Sequence, residues 1–70
     1  MATVFTKSLN SENRHYEFEI RQTPRTKESY LTITETSILA GRRQRVALTI
    51  RPADTKNFLK ILEDVVSHLP

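Results

Sequence analysis

Seventy residues carry 11 Lys and Arg against eight Asp and Glu, a formal net charge of +3, with a pI near 9.7. The absence of cysteine excludes disulfide bridges and every Cys-based zinc or redox motif. The length is that of one small domain, which buries too little apolar surface to be more than marginally stable alone. With no disulfide to staple it, oligomerisation is the expected remedy.

The first segment, about residues 3–9, is the least regular strand, since its apolar and polar residues alternate unevenly. Residues 14–22 follow, with Tyr16, Phe18 and Ile20 alternating against Glu17, Glu19 and Arg21, the period of a half-buried strand. In residues 29–36, Leu31 and Ile33 take one face while Tyr30, Thr32 and Thr34 take the other. In residues 43–51, Val46, Leu48 and Ile50 are the apolar side, and Arg43, Arg45, Thr49 and Arg51 point away. Nine threonines in the chain suit strands. The connections run through Asn10–Asn13, Thr23–Glu28 and Ile38–Arg42, and connections this short join antiparallel neighbours.

Pro52 ends the fourth strand because it has no N–H to give to a ladder. Phe58, Ile61, Leu62, Val65, Val66 and Leu69 then recur at i, i+3, i+4, i+7, i+8 and i+11, one stripe of an amphipathic helix over about residues 53–69. Asp54 stands at its start, where a carboxylate is expected to cap free N–H groups. The fold class is therefore α+β: a four-stranded antiparallel meander followed by one C-terminal helix, ββββα. A helix about 24 Å long, at 1.5 Å per residue, covers only part of such a sheet. Phe5, Leu9, Leu39 and parts of the helix stripe then need another partner, and a second copy is the simplest.

No nucleophile–base constellation, HExxH, P-loop or GxGxxG occurs, so no catalytic residue is assigned and the chain is not expected to be an enzyme. His15 and His68 lie too far apart in sequence to suggest a metal site, and no cofactor is implied. Basic residues concentrate before the helix: residues 1–52 hold nine basic and five acidic side chains, residues 53–70 two and three. A localised basic balance favours polyanion partners. The polar strand face adds arginines for phosphates and Tyr30 as a ring on which a base can stack. Two plainer readings stand beside this one. Arg43, Arg45 and Arg51 could pair with Glu17 and Glu19, and Tyr30 could be a cross-strand packing residue.

The order of these residues resembles the PUR repeat of purine-rich-element-binding proteins and their short bacterial relatives. Asn13-Arg14-His15-Tyr16-Glu17-Phe18-Glu19-Ile20-Arg21-Gln22 is similar to the family's second strand, and Tyr30-Leu31-Thr32-Ile33-Thr34-Glu35 to its third. Arg45-Val46-Ala47-Leu48-Thr49-Ile50 is similar to its fourth, and Phe58-Leu59 through Val65-Val66-Ser67-His68 to its closing helix. The resemblance implies a Whirly-like fold in which two repeats intertwine and exchange helices. For a chain with a single repeat, this means an intertwined homodimer. It implies binding to single-stranded DNA or RNA, with a purine-rich preference, and no cofactor. Contacts carried over fall on Asn13, Arg14, Arg21 and Tyr30, with Arg43 or Arg45 at the start of strand four and Lys7 on strand one. Gln22 and Thr23 close strand two, Thr23 standing where the family typically has Asn. Thr32 stands where it commonly has Lys.

The alternative function is a protein-interaction or transcription-cofactor module whose basic sheet face meets an acidic protein partner. No apolar signal segment opens the chain and no run is long enough to span a bilayer. A cytoplasmic location is expected, nucleoid-associated if the source is bacterial, with no membrane partner.

Overall fold

The computed structural model describes residues 2–70. Four strands, β1 (Ala2–Ser11), β2 (Arg14–Gln22), β3 (Ser29–Leu39) and β4 (Arg42–Ile50), form one antiparallel sheet in the order β1-β2-β3-β4. A 3-10 turn, Pro52–Asp54, leads into helix α1, Thr55–Val66. The ββββα meander expected from the alternation is therefore the fold of the chain. The strands reach further into their turns than the sequence suggested. Ser11 pairs with Arg14 and Leu39 with Arg42, so the first and last hairpins close in two residues each. Ala40 and Gly41 sit at φ +53° and +76°, the left-handed conformations that a tight hairpin turn needs to match strand twist.

Residues opposite one another across a ladder share a face, so the register sorts the side chains. Phe5 lies across from Ile20, Ile20 from Leu31, and Leu31 from Ile50. The next row on that face is Lys7, Phe18, Ile33 and Leu48, and the one beyond is Leu9, Tyr16, Glu35 and Val46. This is the apolar face. The polar face carries the alternate rows: Asn10, His15, Thr36 and Arg45; Ser8, Glu17, Thr34 and Ala47; Thr6, Glu19, Thr32 and Thr49. Arg21 lies across from Thr3 and Tyr30 at its far end. A bulge between Thr3 and Phe5 shifts the period of β1, which explains why that strand alternates unevenly in sequence.

Two expectations are corrected. The helix was expected to cover part of its own sheet, but it packs mainly against the 3-10 turn and leaves most of its apolar stripe uncovered. Thr55 and Phe58 are its only half-buried residues, while Ile61, Leu62, Val65 and Val66 stay exposed. Asp54 was expected to cap the helix, but its carboxylate makes no capping bond. It accepts from the Arg51 guanidinium instead, with Nη2 and Nε each 3.0 Å from Oδ2. That pairing occupies Arg51, which the alternation had placed among the free cations of the polar face. The Thr55 hydroxyl donates to the Arg51 carbonyl at 3.0 Å.

The chain accordingly has almost no core of its own. Ile50 is the only buried apolar residue among those described, and Phe5, Leu9, Val46 and Leu48 are exposed on the apolar face. The Cα radius of gyration is 14.2 Å, against about 11 Å for a compact chain of this length. The accessible surface is 6182 Å², about 1,700 Å² more than the roughly 4,500 Å² typical of a globular monomer of this mass.

Candidate nucleic-acid interface

The polar face is assembled by β2, β3 and β4, with hydroxyls from β1. Its alternation comes from strands whose other side is apolar: every residue that puts Phe18 or Ile33 on one surface puts its neighbours on the other. Cations stand at the two ends of this face. Arg21 and Tyr30 are direct cross-strand partners at one end. Arg45, with Thr36 and His15 in its row, and Arg43, across from Ile38, stand at the other. At about 3.3 Å per residue, the six residues from His15 to Arg21 separate the ends by about 20 Å.

Between them the face is floored by short hydroxyl side chains. Thr32 and Thr34 are 8% and 6% exposed, as expected for small residues on an inner strand shaded by longer neighbours. The carboxylates of the middle rows are not neutralised by arginine. Glu19 accepts from the Thr3 hydroxyl at 3.0 Å, and Glu17 stands 3.8 Å from His15 Nε2. Nδ1 of His15 meets the side-chain oxygen of Asn10. The plainer reading in which Arg43 and Arg45 pair with Glu17 and Glu19 therefore has no ion pair behind it among the described residues. At the Tyr30 end, the Nε of Arg21 is buried without a hydrogen-bond partner. A half-buried guanidinium with an unsatisfied donor gains from an acceptor that completes it.

The ten residues singled out from sequence divide between locations. Arg21, Tyr30, Thr32, Arg43 and Arg45 share the polar face. Lys7, Arg14 and Gln22 fall on the apolar face, across from Phe18, Ser37 and Ser29. The Arg14 guanidinium donates to Glu35 at 3.1 Å, and its pKa is raised above the ordinary value by Tyr16 and then Glu35. Gln22 donates to the Lys27 carbonyl at 3.3 Å. Thr23 pins the same loop, its hydroxyl meeting that of Thr26 at 2.6 Å and accepting from the Glu28 N–H at 3.1 Å. Asn13 lies in the first turn, where its carbonyl accepts from the Ile38 N–H at 3.1 Å. That turn borders a shallow depression shared with Asn10, His15, Thr36 and Arg43.

Asn10 and His15 were not among the ten. Their place in the row of Arg45 depends on the pairing of four strands, and only the parity of His15 within β2 hinted at it. No family model, curated protein or solved structure matches this chain.

Proposed function

We propose that this chain binds single-stranded DNA or RNA through the polar face of its sheet, as a homodimer in which each helix covers the other copy's apolar face. The observation that carries the binding half is the register. It gathers Arg21, Tyr30, Arg43 and Arg45 on one open face, with hydroxyls between them and an unsatisfied Arg21 donor at one end. A cationic sheet with an aromatic platform is how flexible single strands are commonly held, the arginines following the phosphates and the ring taking a base. A duplex cannot offer the same unstacked bases. The resemblance of β2, β3, β4 and the helix to the PUR repeat supports the same reading.

The dimer half rests on area. Each copy exposes about 1,700 Å² beyond a typical monomer of its mass, and two such surfaces together fall within the roughly 2,000–5,000 Å² of obligate interfaces. A helix of 12 residues is marginal in water by itself, so a stripe left exposed does not account for its stability.

The test is fluorescence anisotropy with labelled purine-rich DNA and RNA strands, a pyrimidine-rich strand and a duplex, each across a salt series. If three phosphates are neutralised per site, log K falls with log salt at a slope of about −2, at about −0.7 per phosphate. Tight, salt-sensitive preference for single strands over duplex is the expected result. Absence of single-strand binding at low salt removes the reading and leaves an acidic protein as the better partner for the same face.

A further inference from the structure

The apolar face of the sheet contains a lysine that no carboxylate pairs with among the described residues. Lys7 lies directly across from Phe18, and the two line one depression with Phe5, Glu19, Ile20 and Leu31; the Glu19 carboxylate belongs to the polar face, where it accepts from the Thr3 hydroxyl. Of the other cations of that face, Arg14 is held by Glu35 and Arg42 stands at the hairpin end across from Leu39, whereas Lys7 lies among the apolar rows with no ion-pair partner among the described residues. In the protomer this costs nothing, because the face is open to water. Once the face is covered, an ammonium among aromatic and aliphatic side chains needs a carboxylate within reach.

We propose that Lys7 is the register-setting residue of the homodimer and that it pairs with Glu63 of the second copy. The inference rests on the dimer reading above. Three acids lie in the segment that would do the covering: Asp54, Glu63 and Asp64. Asp54 is taken by Arg51. Residues three and four apart are neighbours on a helix, so Glu63, four after Leu59 and three before Val66, borders the apolar stripe. Asp64 meets the stripe only through Ile61, its other neighbours being Lys60, Ser67 and His68, and its side chain is shorter. Glu63 has no ion-pair partner among the described residues of its own chain. A single polar position inside an apolar seam discriminates against misaligned packings, because any shift leaves the charge buried without its mate. Lys7 thus belongs to the dimer interface and not to the nucleic-acid face, which the opposite side of the sheet provides.

Charge reversal tests both partners by sedimentation, with the wild-type chain measured first. Lys7→Glu and Glu63→Lys each place two like-charge pairs in a homodimer, and each is expected to raise the dimer dissociation constant on the order of tenfold or more. Mixing the two variants forms a heterodimer in which both pairs are again opposite in charge, so near-wild-type dimer is expected to return. The mixing result holds even if each variant alone fails to fold. If only the double variant in one chain is rescued and mixing is not, the helix lies on its own sheet and the proposal is overturned. Single variants that dimerise like wild type also overturn it. A wild-type chain that stays monomeric instead removes the dimer reading beneath it.

Discussion

Arg21 and Tyr30 are direct neighbours across two strands, yet they are expected to fail differently when removed. If Arg21 holds a phosphate as proposed, Arg21→Ala lowers affinity and makes the salt slope shallower by about 0.7. If Tyr30 stacks a base as proposed, Tyr30→Ala costs about 1–3 kcal/mol of binding and leaves the slope unchanged. Salt titrations of both variants against one single strand separate the roles, and an unchanged slope for Arg21→Ala removes it from the phosphate path. Arg14 is the comparison residue: its guanidinium is held by Glu35 on the opposite face, so Arg14→Ala is expected to change the slope less than Arg21→Ala. This contrast was half legible in the sequence. Residues 14, 16, 18, 20 and 22 have one parity and 15, 17, 19 and 21 the other, so β2 alone separates Arg14 and Gln22 from Arg21. For Lys7 the guide was thinner, a parity shared with Phe5 and Leu9. The bulge after Thr3 makes the start of β1 uneven and obscures that parity, and pairing with β2, a property of two strands together, sets the face.

At the level of elements, alternation and stripe located all four strands and the helix, because each pattern is local and has its own period. Their ends were less legible, since a turn is settled by backbone geometry that many sequences can adopt. The β3–β4 hairpin shows this. Its turn was legible from the only glycine, but not the two-residue closure that makes Ala40 left-handed as well. A Cβ at Gly41 meets nothing within 4 Å, so Gly41→Ala adds no clash, only the strain of φ +76°. That strain costs about 1–2 kcal/mol, and a urea midpoint lowered accordingly with unchanged m-value is the expected reading. No loss of stability would mean that the turn relaxes to another conformation. The helix start was misread for a different reason. The sequence offers Asp54 as a cap but does not reveal that Arg51, one turn back, competes for the same carboxylate and takes it.

For the whole molecule, a layer is missing from the single chain. Stable domains pack sheet against helix or sheet, whereas this chain has one sheet with an open apolar face and one helix with an open apolar stripe. If a second copy supplies the missing layer, folding and association are a single event, and stability depends on concentration. The apparent Tm should then rise with protein concentration, which a single-chain fold does not do. Substitution discriminates further. Val65 is 61% exposed in the protomer, and a surface change away from any packed feature is usually worth less than about 0.5 kcal/mol. If the protomer were the functional unit, Val65→Asp would leave stability nearly untouched. If the stripe lies against another copy's sheet, the same change puts an unpaired carboxylate into an apolar contact, at a cost of several kcal/mol. Circular dichroism and sedimentation on one sample distinguish the two. Joint loss of dimer and thermal transition is the expected outcome, and an unchanged melt would show that the helix stands free.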